Sequence, residues 1–307
     1  MSEEVLLGGQ AVLEGVMMRA PGAYAVAVRK KDGNVVTLRR EVVRLSDRYP
    51  ALKTPILRGV VVLFQSLALG IRALNFSAEQ VLEEEESQKA EKSSSSWAVF
   101  LSLAAALAFA LGLFFYLPLL ITDALARLLP ALSSSVAYNL TEGVIRIGLF
   151  VGYILGISAL SDMRRVFQYH GAEHKVVSTY EAGEPLTVEF ARRHSTLHPR
   201  CGTSFLLFVM VISILTFSLV PVTAPFLMKL LARLLLLPLI AGLSFELLRA
   251  SAKHRRRLLY VLVITPGLWM QRLTTREPSD DQLDVAIEAL RVALGGELPA
   301  RREAFPL

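Results

Sequence analysis

Between Trp97 and Thr122 the chain carries 26 consecutive residues without a charged side chain, and that run decides which solvent the protein folds in. A helix of this length exceeds the roughly 20 residues needed to cross about 30 Å of hydrocarbon. It has to be a helix, because lipid offers no partner to an open backbone N–H or C=O. The rest of the chain agrees: more than half of its residues are apolar, beyond what a soluble core of this length requires.

Three further stretches predict spans. Val144–Leu160 has Glu142 before it and Asp162, Arg164 and Arg165 after it, with Arg146 close enough to its end to snorkel. Gly202–Met228 is uncharged, with Pro221 and Pro225 towards its end. Leu230–Leu248 contains Arg233 and Glu246, and an ionisable group at membrane depth usually faces a bundle interior or a cavity. Leu258–Gln271 is apolar but only 14 residues long and is interrupted at Pro266-Gly267, which suits a re-entrant or interfacial segment. The expected fold is therefore an α-helical polytopic membrane protein with about four transmembrane helices (97–122, 144–160, 202–228 and 230–248) in a membrane domain over 97–257.

Lys and Arg set the orientation, because cytoplasmic loops carry their excess. The segment between the second and third spans holds Arg164, Arg165, Lys175, Arg192, Arg193 and Arg200, and the one after the fourth holds Lys253, Arg255, Arg256 and Arg257. The opposite loops hold Arg127 in one case and Lys229 with Arg233 in the other. This predicts a multi-pass cell-membrane protein with cytoplasmic N- and C-termini and a cytoplasmic His-rich segment over 161–201. The net charge of +6 then reads as attraction to anionic lipid of the inner leaflet, and no nucleic-acid partner is expected. A homo-oligomer is left open. Cys201 is the single cysteine, so no intrachain disulfide forms and the polar parts need no oxidising compartment. The first 30 residues have no basic stretch followed by an apolar one, so no cleavable signal peptide is expected.

Outside the membrane domain, residues 1–54 predict a small β-rich cytoplasmic domain. Ala11–Met18 and Tyr24–Arg29 are strand-like, and Asp32-Gly33 marks a hairpin turn. Residues 55–82 read as an amphipathic interfacial helix interrupted by Arg58 and Arg72, and 83–96 as a flexible acidic and Ser-rich linker. In the C-terminal segment 272–307, Asp280–Leu294 has the apolar spacing of a soluble helix.

Four of the five histidines fall between His170 and His198. His170 and His174 are one helical turn apart and can share one metal ion; His198 and Cys201, three apart on a turn, can add two more ligands. The donor set suits a divalent transition metal, zinc first. The H-x-x-E-H order over His170–His174 is also that of inverted zinc peptidases, where the glutamate activates water, which makes Glu173 the candidate general base. Gly171 argues against a helix interior by about 1 kcal/mol. The bland alternative is a set of interfacial histidines contacting lipid phosphates or carbonyls, with Cys201 a small apolar residue. If all four ligands bind, the site is closed and structural; an open position would permit hydrolysis. Glu246 pairs with Arg249 on its own helix or serves a transport path in the bundle.

Gly8–Arg19 (GGQAVLEGVMMR), Tyr169–Lys175 (YHGAEHK), His198–Thr203 (HPRCGT) and Pro266–Gln271 (PGLWMQ) resemble the motif blocks of the YqhQ-like family of bacterial membrane proteins, over nearly the whole chain. That family is a domain of unknown function sometimes labelled a predicted metal-dependent enzyme. The resemblance implies that Gln10, Glu14 and Arg19 belong to a shared functional surface; in the enzyme reading, Arg19 or Arg200 would hold an anionic group. The leading expectation is a metal-dependent membrane hydrolase at the cytoplasmic face. The alternative is a non-enzymatic scaffold or transport-associated protein with a structural metal.

Overall fold

The structure, a computed structural model, describes residues 7–43, 45, 49–86, 96–199, 201–253 and 258–296. Strands β1 (Gly8–Val12), β2 (Gly15–Ala20), β3 (Ala23–Arg29) and β4 (Val35–Glu41) precede a long helix α1 (Leu57–Glu86). Then come α2 (Ser96–Leu111), a π-helical turn over Gly112–Tyr116, α3 (Leu117–Leu128), α4 (Ser135–Ser158), α5 (Ser161–Glu181) and α6 (Val188–Arg193). The chain ends in α7 (Gly202–Phe217), α8 (Phe226–Lys253), α9 (Leu258–Thr274) and α10 (Asp280–Ala293). Among the described residues, four helical stretches are long and apolar enough to cross a membrane: Leu57–Val81, Ala104–Leu128, Ser135–Ser158 and Phe226–Ala250. The molecule is mostly helical, with a small antiparallel four-stranded sheet at its N-terminus.

The set of four differs from the expected one. The helix expected over 202–228 stops at Phe217 after 16 residues, roughly 24 Å and short of the hydrocarbon thickness. Turns over 218–225 carry Pro221 and Pro225 and break the run, since neighbours supply no substitute for the N–H that each proline lacks. The 55–82 stretch takes the vacated place by length and hydropathy, as one 30-residue helix that also absorbs 83–86 of the expected linker; 87–95 lie outside the described residues. The helix touches both parts of the molecule. Its first turns meet α8, where a Cβ on Gly59 would approach Gly242 Cα to 3.1 Å, while Leu69, Ala73, Phe76 and Val81 pack on the sheet. Residues 258–271 are helical, within α9, which runs through Pro266 to Thr274.

The sheet is a simple meander in the order β1-β2-β3-β4. Ala11–Met18 is not one strand, because Leu13-Glu14 forms a two-residue turn with Val12 paired to Gly15. Glu14 sits there at φ 49°, in the left-handed region. Alternation then gives the sheet two apolar faces. Val16, Met18, Ala20, Ala25 and Ala27 meet Tyr169, Ala172 and Val176 of α5 and Leu283, Ile287 and Leu290 of α10. Val12, Met17, Tyr24, Val26 and Val28 meet α1. A three-layer polar unit results, α1 over sheet over α5 and α10, joining chain segments remote in sequence. The α10 start is closed by a capping box between Ser279 and Gln282, which satisfies two otherwise open N–H groups.

Within the bundle, α3, α4, α7 and α8 bury charge. Arg146 does not snorkel to a helix end: it pairs with Glu142 one turn earlier, and its other nitrogens donate to the Phe114 carbonyl at 3.0 Å and Ser213 Oγ at 2.9 Å. Arg233, fully buried, donates to Glu142 Oε2 and Asn139 Oδ1, both at 3.0 Å, and to the Lys229 carbonyl at 3.1 Å. Lys229 pairs with Asp123 and reaches Tyr138 Oη at 3.2 Å. Glu246 binds Arg58 of α1 through both nitrogens of a fork, rather than pairing with Arg249 of its own helix.

Candidate metal centre

The site is built from α5 outward. His170 and His174 lie one turn apart on α5, with ring centroids 4.5 Å from each other. Gly171 between them is explained by close approach: a Cβ there would come within 2.1 Å of the Arg276 carbonyl oxygen. Arg276 N in turn donates to the Phe167 carbonyl at 2.9 Å. The penalty for glycine in a helix is thus offset by docking the segment after α9, and that docking brings the Thr274 carbonyl to His170 Nδ1 at 2.8 Å. On the other side, His174 Nδ1 meets the Thr196 carbonyl at 2.5 Å.

A carbonyl only accepts, so each Nδ1 carries a proton, and in the neutral ring each Nε2 presents a lone pair. His170 Nε2 points at Cys201 Sγ, 3.2 Å away. His174 Nε2 is buried without a hydrogen-bond partner of acceptable geometry, with the cysteine sulfur beside it. The donor atoms of His170, His174 and Cys201 all lie within 4.8 Å of one another, against roughly 3.5 Å between ligands around a tetrahedral zinc ion with the usual bond lengths. Orientation of imidazoles by carbonyls on Nδ1 is also what metal-ligating histidines show. Burial pushes the His174 imidazole below its ordinary value, with the neighbouring Cys201 sulfur opposing it. The neutral form that a ligand must have is therefore favoured.

Cys201 is delivered by the expected turn, Cys201 N donating to the His198 carbonyl at 3.3 Å. That turn is clasped by Gln271 of α9: its Oε1 accepts from His198 N and its Nε2 donates to the His198 carbonyl, both at 2.8 Å. The His198 ring is beside the trio, 5.7 Å from the His174 ring, and its Nε2 faces Glu181 Oε2 at 3.5 Å. The four expected ligands are thus brought together, three as one convergent set and His198 adjoining it.

Glu173 is buried on the same helix, and its Oε1 accepts from Gly9 N of β1 at 2.8 Å. The approach needs glycine: a Cβ on Gly9 would sit 3.0 Å from Glu173 Cδ. Burial pushes the Glu173 carboxyl up, with the charges of His170 and His198 and the Gly9 N–H opposing. The other expected residues occupy seams. Gln10 fits against α1 where Gly70 leaves room. Arg19 donates to Ser66 Oγ at 3.3 Å. Glu14 receives a guanidinium fork from Arg165 and the Tyr169 hydroxyl at 3.4 Å. That fork holds Arg165 above its usual range, and burial pushes Tyr169 up. Arg200 lies outside the described residues. Sequence reasoning missed Gln271, Thr196, Thr274 and Glu181; for Gln271 the signal was a polar residue closing an apolar helix.

Fold and site define a class: a helical protein with helices long and apolar enough to cross a membrane and a histidine–cysteine cluster where its polar layer meets the bundle. The chain belongs to the YqhQ-like family, the family model described as "Protein of unknown function (DUF1385)" matching residues 54–296. The "Uncharacterized protein YqhQ" of Bacillus subtilis (strain 168) is 38% identical over 312 residues, covering 97% of this chain and 95% of that protein. No solved structure matches the chain.

Proposed function

We propose that the protein is a metal-dependent enzyme, of hydrolase type, working at the cytoplasmic face of the cell membrane. The observation that carries the reading is the convergence of His170, His174 and Cys201, with His174 Nε2 buried and lacking a hydrogen-bond partner. Three protein ligands leave one tetrahedral position open, as in catalytic zinc sites. A divalent transition ion held by His170, His174 and Cys201, zinc by donor type, would supply Lewis-acid polarisation and acidify water. The chain's own residues do the rest: the Thr274 and Thr196 carbonyls fix the tautomers, Gln271 holds the cysteine turn, and Glu173 would act as the general base.

Support for the membrane placement comes from the Lys and Arg distribution along the sequence. In intact cells of a variant lacking Cys201, a cysteine at Ser279 should be shielded from an impermeant thiol reagent and one at Ser134 labelled. The reverse pattern would overturn the orientation.

The decisive experiment is metal analysis of the full-length protein purified without chelator. The expected result is about one equivalent of transition metal, lost in His170→Ala and His174→Ala and retained in Glu173→Gln. A wild-type protein without stoichiometric metal, and without stabilisation by added zinc, would end this reading. The scaffold alternative has an observation of its own, because His198 adjoins the trio and can close it. Coordination number decides: a fourth protein ligand marks a structural clamp between α5, α7 and α9.

A further inference from the structure

We propose that the bundle contains a binding site for a small free inorganic anion, centred on Arg146 and Arg233 and reached from the end opposite the histidine–cysteine cluster. Among the described residues, three buried cations (Arg146, Lys229 and Arg233) face two carboxylates (Asp123 and Glu142) there. The formal sum is 3 − 2 = +1. Lys229 has Asp123 to itself, whereas Arg146 and Arg233 share the single carboxylate of Glu142. Their hydrogen bonds are complete but their charge is not, and an uncompensated cation at membrane depth is costly. A monovalent anion balances the sum.

The surroundings suit such a guest. The guanidinium of Arg146 lies 5.0 Å from the Phe217 ring centroid and 5.4 Å from that of Phe115, and Arg233 lies 5.0 Å from the same Phe217 ring. These aromatic faces exclude water, which strengthens electrostatic attraction. Arg146 also takes the Phe114 carbonyl, in the middle of the π-helical turn, a helix irregularity frequent at functional sites.

The approach is graded in charge. The turns before α4 and before α8 are tied by Val222 N donating to Ser135 Oγ at 3.3 Å, which fixes one end of the bundle. Asp123, Lys229 and Tyr138 lie just inside it, and Asn139, Glu142 and Arg233 a turn deeper. Arg146 follows, 11 residues into α4. The exposed Arg127 at the mouth adds a further positive charge. Arg146 is roughly 16 Å along α4, deeper than a lipid phosphate held at the interface, which argues for a free ion over a headgroup. Size is limited by packing: a Cβ on Gly143 would come within 2.2 Å of Ile214, so α4 and α7 are in close contact there and exclude anything as large as a metabolite. The ligand is an anion held by residues other than those of the histidine–cysteine cluster, so this inference stands apart from the metal reading.

The test uses full-length protein in non-ionic detergent, with sodium chloride replacing sodium gluconate at constant ionic strength and thermal unfolding as readout. The wild type should rise in Tm saturably by several degrees and bind about one radiolabelled chloride per chain. Arg146→Gln, which brings the charge sum to zero, should lose at least nine-tenths of the shift. Arg127→Gln, an exposed change that spares the packed interior, should keep the shift at saturation and need severalfold more chloride at low ionic strength. If Arg146→Gln does not fold, the wild-type titration and Arg127→Gln decide. A wild type indifferent to chloride overturns the proposal, as does an Arg146→Gln variant that responds like the wild type. A shift produced by phosphatidylglycerol but not by chloride overturns it in favour of a lipid headgroup.

Discussion

The histidine–cysteine cluster and the charged ladder inside the bundle are both buried and polar, yet they are unfinished in opposite ways. In the ladder every buried charged atom has a protein partner, and what fails to balance is the charge, with Arg146 and Arg233 sharing Glu142. At the cluster a donor atom is left over, His174 Nε2, although carbonyls hold the other nitrogen of each imidazole. An unmatched charge acts over several ångströms and can be met by an ion of no particular geometry. An unmatched lone pair is directional, and when three such donors converge they specify a metal. Hydrogen-bond satisfaction and charge balance are separate tests of a buried site.

The comparison is most sharply broken at Glu142. Glu142→Leu leaves two guanidiniums buried against each other and should cost about 3–5 kcal/mol, the range for stripping one partner from a buried ion pair; chemical unfolding in detergent measures it. A loss under about 1 kcal/mol would mean that water reaches the ladder. Next comes the clasp on the cysteine turn. Gln271→Ala deprives a buried N–H and a buried C=O of their partners, for about 1–3 kcal/mol. It should also weaken metal affinity about 10–100-fold, as loss of an outer support does. Metal retention at wild-type affinity would show that the turn holds without the clasp.

Helical glycines provide a graded pair. Gly171→Ala must push the Arg276 carbonyl away from α5 and should cost about 1–3 kcal/mol, with lower metal content because Thr274 moves too. Gly148→Ala on α4 meets nothing within 4 Å and should stabilise by up to about 1 kcal/mol. Equal Tm shifts in the two variants would refute the close-approach explanation. The smallest effect is expected at the Arg58–Glu246 pair, whose side chains are 27% and 24% exposed. Discounted for solvent screening, Glu246→Gln should cost under about 1 kcal/mol. A larger loss of stability would place the pair deeper than its exposure indicates.

Much of this was legible along the chain wherever the cause was local. The long apolar runs, the Asp32-Gly33 turn, the soluble helix after Ser279 and the i, i+4 histidines each follow from periodicity or from a few neighbouring side chains. The expectation failed at 202–228, where a charge-free run was read as one span and two prolines ended the helix. It was incomplete at Arg146, read as snorkelling, because nothing nearby in the chain reveals that Ser213 and the Phe114 carbonyl receive its nitrogens.

Composition and pattern by themselves determined that the chain carries helices apolar enough for a membrane, that its N-terminus is β-rich and that a metal-type donor set lies in one polar segment, since hydropathy and helical period are properties of short windows. Only the tertiary structure decided which donors converge, that Gly171 exists to admit the Arg276 carbonyl, that α1 lies on the sheet, and that Glu142 must serve two arginines. Those depend on contacts between residues far apart in the chain, from 31 positions for His170 with Cys201 to 188 for Glu246 with Arg58, and packing across such separations leaves no local trace in the chain.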